Sequence, residues 1–306
     1  MMRELPLDQV RTLLAVIDEG TFEAAANVLH VTPSAVSQRV KALEQHTGRV
    51  LLLRTKPVRP TPSGEIVVGF ARRLALLERE ARSALGMAGP DEPIQMSVAV
   101  NSDSLATWFL AALGRVPEEW RLCYELRRED QDHTAALLRD GLVMAAVTSS
   151  PEAVAGCSAR LLGHMRYVPV AQPRFAARLL GRGTDSDPVG LLAAAPMVCF
   201  DRRDDIQDAF VRRLRPGLPA NLRRHCVPTS EGFVEAVAAG MGWGMVPLVQ
   251  AAPLLASGRL VDLVPGHATD VPLYWQQWKL DSPALAAVAE AVAAEAAEAL
   301  SDPEPS

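Results

Sequence analysis

The sequence predicts three parts in order: an all-α head carrying a winged helix-turn-helix, a long linker helix, and an α/β body of two lobes. Three observations carry this. Residues 20–41 read as two short helices over a tight connection, the second with chemically opposite faces. Residues 62–86 keep one apolar stripe, and from residue 94 strand-like and helix-like segments alternate.

In the head, Thr21 is an N-cap for a helix whose Phe22, Ala25, Ala26 and Leu29 point inward, with small alanines that permit close helix approach. Thr32 and Pro33 then supply a cap and a first-turn proline for the second helix. At 100° per residue Val36, Val40 and Leu43 form its apolar stripe, while Ser34, Ser37, Gln38 and Lys41 project oppositely. Hydroxyl and amide groups reach base edges in a DNA major groove, and cations meet phosphate. The competing reading is an ordinary αα-hairpin within a bundle.

The segment after Gly48 favours the DNA reading. Residues 50–61 read as a short strand, a basic turn and a return strand, which is a wing. Across 30–60, Arg39, Lys41, Arg49, Arg54, Lys56 and Arg59 face a single acid, Glu44, in a chain whose net charge is −5. That local excess is the footprint of phosphate neutralisation. Residues 1–90 hold 12 Lys+Arg against 9 Asp+Glu, which leaves 19 against 27 in the remainder of the chain. The head suits a polyanion. The acidic body suits a cationic small ligand, or serves solubility and keeps the body off DNA.

The linker stripe of Ile66, Val67, Phe70, Leu74, Leu77, Ala81 and Leu85 would span roughly 36 Å at the helical rise. A small head alone cannot cover that length. It either pairs with a second subunit or lies on its own body, and 86–93 reads as the hinge. In the body, strands are expected at 94–100, 121–126, 144–148, 168–171, 197–200 and 240–247, with helices at 104–113, 134–139 and 232–239, on a parallel sheet. An alanine-rich helix over 283–300 packs on the body, and 301–306 is a loose tail.

With 306 residues the chain can bury a real core in a head plus a regulatory part. No charge-free apolar run reaches 18 residues, and no basic N-terminal region precedes an apolar stretch, so neither a membrane span nor a secretory signal is expected and the cytoplasm is the expected location. Cys123, Cys157, Cys199 and Cys226 lack metal-ligand spacing and read as buried thiols in a reducing compartment. No cofactor or metal is expected.

Leu7, Phe22-Glu-Ala-Ala-Ala26, Thr32-Pro-Ser-Ala-Val-Ser-Gln38, Val40, Leu43-Glu44, Leu52-Leu-Arg54 and Thr61-Pro-Ser-Gly64 resemble the DNA-binding domain of LysR-type transcriptional regulators, and the resemblance extends over nearly the whole chain. Lys56-Pro57 departs from the wing tip of many relatives. The resemblance implies a DNA-binding domain over 1–61, a dimerising linker helix and hinge over 62–91, and a two-lobed, periplasmic-binding-protein-like effector domain over 92–306. It also implies a homodimer through the linker, joined into a tetramer by effector domains, with double-stranded promoter DNA and RNA polymerase as partners. The expected DNA-facing set is Thr21, Thr32, Pro33, Ser34, Ser37, Gln38, Arg39, Lys41, Arg54, Lys56, Arg59 and Thr61.

Ligands of such a two-lobed domain sit at the carboxyl ends of strands. Walking those ends gives Ser102, Asp103 and Ser104; Glu125, Asp130 and Asp132; Thr148 and Ser149; Asp201; and Thr229 and Glu231. Each alone fits N-capping or loop chemistry. Their recurrence favours a pocket in which hydroxyls and free N–H groups hold an α-carboxylate and acids hold a cation. Asn101-Ser-Asp-Ser-Leu-Ala-Thr-Trp108, Phe200-Asp-Arg-Arg-Asp-Asp205, Ser230-Glu-Gly-Phe-Val234 and Leu273-Tyr-Trp275 further resemble the ArgP/LysG branch of the family, which implies a response to lysine or arginine and activation of a basic amino acid exporter gene. A LysR-type regulator of another metabolic operon with a different small effector is the alternative. A transport protein is opposed by the head and the missing signal. An enzyme is opposed by the lack of a nucleophile–base pair, metal spacing or phosphate loop, with His133, His164, His225 and His267 isolated.

Overall fold

The computed structural model describes residues 4–85, 87, 93–128, 131–181, 188–218 and 221–300. The head opens with α1 (Leu7–Glu19), α2 (Phe22–Val28) and α3 (Pro33–Thr47). Thr21 accepts from Ala24 N and Thr32 from Ala35 N, so both expected N-caps form. Val10, Leu13, Val16, Ala25, Val36, Val40 and Leu43 meet in one core. The wing is a two-residue antiparallel pair, β1 (Leu52–Leu53) on β2 (Arg59–Pro60). It is tied down at both ends. Glu44, the lone acid of the basic segment, accepts from Leu51 N (2.8 Å), and Val58 N donates to the carbonyl of Gly20 (2.8 Å). Gly20 ends α1 at φ +72°, and a Cβ there would lie 3.1 Å from that of Pro57. Only glycine joins helix to wing without strain.

The linker helix α4 runs from Pro62 to Ala84, and its apolar residues divide between two faces. Val67, Val68 and Ala71 complete the head core. Ile66, Leu77 and Leu85 are 73%, 48% and 73% exposed. The expected single stripe is thus divided: Val67 is buried in the head core with Val68 and Ala71, and Phe70 packs against that core, while Ile66, Leu77 and Leu85 stay exposed. A further face touches the body. Gly69 sits near the carbonyls of Arg139 and Asp140, and the Arg73 guanidinium lies 5.2 Å from the Trp278 ring centroid. Most of the expected hinge lies outside the described residues, as does the tail 301–306.

In the body, β3 (Ile94–Val100) pairs in parallel with β4 (Leu122–Arg128) and β5 (Ala145–Thr148). The expected all-parallel sheet is corrected beyond them. Two long strands, β6 (Cys157–Ala171) and β11 (Thr269–Trp278), run antiparallel over a register from Thr269↔Tyr167 to Trp278↔Cys157. Chain that crosses between lobes and returns must run in opposite directions, so the sheet is mixed. The first lobe joins β11 to β5. The second joins the far half of β6 to β9 (Gly244–Pro247) and β10 (Val261–Asp262). A separate parallel pair, β7 (Met197–Cys199) and β8 (Arg224–Cys226), completes the second lobe through a bridge from Met197 to Trp243.

Helices pack on these sheets. In the first lobe, α5 (Ser102–Thr107) and α6 (Phe109–Gly114) replace the single expected helix, and α7 (Gln131–Arg139) follows β4. The second lobe carries α8 (Pro173–Leu180), α9 (Pro188–Ala194), α10 (Ile206–Leu214), α11 (Ser230–Ala238) and α12 (Leu248–Ala256). Trp243 is fully buried, its indole N–H donating to Leu192 O (3.0 Å). The last helix, α13 (Pro283–Ala299), is capped by Ser282 and buries Leu285, Val288, Val292 and Ala296 in the body core. Of the four thiols, Cys157 and Cys199 are buried while Cys123 and Cys226 are exposed, which corrects the reading of all four as buried.

Candidate nucleic-acid interface and effector cleft

Ser34, Gln38 and Lys41 are exposed on one face of α3, with Ser37 and Arg39 half-buried beside them. Their opposite neighbours Val36, Val40 and Leu43 are fixed in the head core, so that polar face is rigidly presented. Thr32 and Pro33 shape the start of α3, and Thr21 does the same for α2. On the wing Arg54, Lys56 and Arg59 are exposed, and the Arg54 guanidinium stands 5.9 Å from the Phe22 ring centroid. Thr61 serves the fold directly: its hydroxyl donates to Val50 O (2.7 Å) and accepts from Gly64 N (3.0 Å), joining wing to linker. The surface combines neutral donors and acceptors on a helix with flanking cations, which is what base-edge reading and phosphate contact require.

The second site is a cavity of about 440 Å³ in the body. From the first lobe it is lined by Asn101, Ser102, Asp103 and Ser149. From the second come Tyr167, the 200–207 segment, Ser230 and Gln250. Asn101 caps α5, its side-chain oxygen accepting from Ser104 N (3.2 Å), while its buried Nδ2 has no hydrogen-bond partner. A buried donor without a partner costs stability unless a ligand meets it.

Asp103 is the centre of the wall. Its carboxylate accepts from the Tyr167 hydroxyl (2.7 Å) and from the Ser230 hydroxyl (2.6 Å). Both donors belong to the second lobe, so the pair of bonds spans the two lobes. Burial pushes the Asp103 carboxyl above its ordinary range, against the lowering effect of those donors, with the charge of Glu231 adding to the rise. Tyr167 is pushed well up by burial and by Asp103. Asp204 accepts from Phe200 N (2.7 Å), Ile206 N (3.2 Å) and Gln207 Nε2 (3.3 Å). Burial also raises its carboxyl, and Asp103 contributes to that rise. Two enclosed carboxylates therefore repel across one cavity, and a cation between them relieves both.

Of the residues expected at strand ends, Ser102, Asp103, Ser149 and Asp201 line this cavity. Asp201 also shapes its own loop, accepting from Arg203 N (2.6 Å) and Asp204 N (3.0 Å). Other expected positions stand apart from the lining. Ser104 is buried behind it, Thr148 is buried and accepts from Ser150 N, and Thr229 caps α11. Glu125 pairs with Arg127 along β4 (2.9 Å), and Glu231 is exposed. Thr148 and Thr229 serve their own loop and helix terminus, while Glu125 and Glu231 are exposed, because a strand end reaches a cleft only where the neighbouring lobe covers it. Asp130 lies outside the described residues, as does the side chain of Asp132. Tyr167, Asp204, Ser230 and Gln250 were absent from the expected set, although Asp204 and Ser230 fall in segments singled out by the resemblance. Among the described residues no group of three or more His, Cys, Asp or Glu could hold a metal ion.

Comparison with known proteins gives the family. Residues 7–65 match the model of the bacterial regulatory helix-turn-helix protein, lysR family, and residues 95–297 match the LysR substrate binding domain. The chain is 45% identical to the HTH-type transcriptional regulator LysG of Mycobacterium tuberculosis over 94% of its own length and 92% of that protein. It is 42% identical to the lysine export transcriptional regulatory protein LysG of Corynebacterium glutamicum, over 95% and 98%. The solved structure of full-length LysG from C. glutamicum with bound effector Arg matches with a TM-score of 0.78 at 41% identity, covering 97% of this chain and 100% of that one. Relatives of this kind are regulators of transcription rather than enzymes. A head that presents a capped polar helix and basic wing, joined to a two-lobed body with an enclosed cleft, thus belongs to the LysR family of bacterial helix-turn-helix transcriptional regulators.

Proposed function

We propose that this regulator reads duplex promoter DNA with α3 and the wing, and that a basic amino acid, lysine or arginine, is its effector. The observation that carries the effector reading is the pair of enclosed carboxylates, Asp103 and Asp204, on one cavity. A basic amino acid has two cationic groups, the α-ammonium and the side-chain end. Two anionic poles suit it, and the unpartnered Asn101 amide with the Ser102 and Ser149 hydroxyls suits its α-carboxylate. Asp103 and Asp204 come from different lobes, so one ligand with two cationic groups bound between them draws the lobes together. The arginine bound to C. glutamicum LysG supports the same ligand class here.

The target gene we infer is a basic amino acid exporter, activated when its cargo accumulates, by analogy with the lysine export regulator of C. glutamicum. Residues 1–61, 62–91 and 92–306 are assigned to DNA binding, dimerisation and effector binding, with a linker-mediated homodimer, a tetramer through effector domains and RNA polymerase as partners. No described helix is long and apolar enough to cross a membrane, which accords with a cytoplasmic site of action.

Calorimetry with lysine, arginine, histidine and norleucine tests the effector. Norleucine keeps the apolar length of lysine without its terminal ammonium. A charge-assisted contact to an enclosed acid contributes roughly 1.5–3 kcal/mol, so lysine should bind about tenfold or more tightly than norleucine. Equal binding overturns the two-carboxylate reading. Promoter DNA binding measured with and without each amino acid then connects the cleft to the head.

A further inference from the structure

We infer that Cys199 and Cys226 are a redox modification site: a hydroperoxide converts them to a reversible intrachain disulfide that fastens β7 to β8 under the 200–206 wall of the cleft. The two residues are direct register partners on parallel strands. Neighbouring strands run about 4.8 Å apart, inside the Cα separation of about 4.4–6.8 Å that a disulfide requires. Register partners in a parallel ladder point to the same face of the sheet. Arg224, two residues before Cys226 and therefore on that face, reaches Asp208 of α10 and the carbonyl of Asp204 (3.2 Å). The thiols thus lie beneath the segment that carries Asp204.

Their unequal exposure orders the chemistry. Cys226 is exposed and Cys199 is buried. Burial pushes the Cys199 thiol up to about 12, which makes it a poor first nucleophile and a shielded one. Cys226 thiolate attacks the hydroperoxide, the O–O bond breaks, and the alcohol or water leaves with Cys226 as sulfenic acid. The sulfur of Cys199 then attacks that sulfenic sulfur. The S–S bond forms, and the hydroxyl departs with the Cys199 proton as water. Two thiols and one hydroperoxide give one disulfide, one alcohol and one water, and a small thiol reverses the step by exchange. Of the other two cysteines, Cys123 stands on β4 and Cys157 on β6, strands that are not hydrogen-bonded neighbours, so they lack this arrangement.

The test uses reduced full-length protein and hydrogen peroxide. The expected result is loss of two of the four titratable thiols per chain, restored by dithiothreitol, with a peptide map linking Cys199 to Cys226. Cys123→Ser leaves that loss unchanged. In Cys199→Ser the oxidised Cys226 has no resolving partner and is trapped by dimedone, whereas Cys226→Ser abolishes the intrachain loss. Hydrogen exchange of the 200–206 amides should slow in the oxidised chain. The inference is overturned if Cys199 stays open to alkylation after unfolding of the oxidised chain, if the only product is an intermolecular link through Cys123, or if exchange at 200–206 is the same in both redox states. These readouts need no effector, so their failure is distinct from failure of the amino acid reading.

Discussion

Burial holds the Asp103 carboxyl above its ordinary range even though Tyr167 and Ser230 donate to it, so its charged form is disfavoured in the folded chain. For an acid whose folded pKa is raised, the folded chain keeps its proton to higher pH than the unfolded chain does. Stability therefore falls as pH rises from the unfolded value through the folded one, and the penalty is complete above that window. Asp103→Asn removes it. The variant should melt at or above the parent's temperature at neutral pH, with the difference shrinking in acid, while arginine binding weakens about tenfold or more. Thermal scans against pH and calorimetry check both halves, and a variant that is less stable at neutral pH yet binds normally contradicts the assignment. In the head the two kinds of contact separate in the same way. Gln38→Ala should relax discrimination at a base position by about 1–3 kcal/mol, whereas Arg59→Ala should weaken binding to all sequences and lower the salt slope by about one. Competition assays with altered operators and a salt titration distinguish them. The exposed face that carries Ser34 and Gln38 and the place of Asp103 on the cavity were legible in the sequence because a helix face and a strand end are local facts. Asp204, Tyr167 and Ser230 were not, since only the closing of one lobe on the other brings them to Asp103.

Among the elements, those with a local signature were readable in advance: capped α2 and α3, the wing, β3, and the alanine-rich α13. The strands β6 and β11 were missed over most of their length. Gly163 and scattered charges break the alternation of β6, and Pro272 interrupts β11, so their extended form rests on pairing with each other rather than on propensity. The linker's contact with the body was one of two placements open for its stripe, but Gly69 and Arg73, which make it, lie outside that stripe. Gly141 adopts φ +67°, and a Cβ there would lie 3.1 Å from Arg72 Cβ and 3.2 Å from Gly69 O. Gly141→Ala therefore meets both backbone strain and a packed helix. Gly258 has φ +71° with nothing within 4 Å of a built Cβ, so Gly258→Ala reports the strain alone, about 1 kcal/mol. The Gly141 variant should lose measurably more stability in urea than the Gly258 variant, and its linker should be cut faster in limited proteolysis. Equal losses would mean that α4 does not press on the body at this point.

On the scale of the whole molecule, the basic head and acidic body announced a chain of two chemistries, while the number of chains that act together is written on α4. Ile66, Leu77 and Leu85 stay largely exposed after the head core has taken Val67, Val68 and Ala71 and the body has taken Gly69 and Arg73. Ile66 and Leu77 lie about 20° apart around a 23-residue helix, and we propose that a second copy covers this row, by the same burial that drives any helix pair together. Two joined heads engage two half-sites, and the second engagement is then intramolecular, which raises overall affinity by about 10²-fold or more. Leu77→Glu should accordingly convert the oligomer to monomer in sedimentation and lower operator affinity by about that factor. Its melting temperature at low concentration should stay near the parent's, because in the single chain this side chain is half exposed. The salt dependence per head should also persist, since the phosphate contacts proposed for α3 and the wing are untouched. A Leu77→Glu chain that sediments as a monomer and still binds the full operator with the parent's affinity would show that the exposed row on α4 does not join the heads that read DNA.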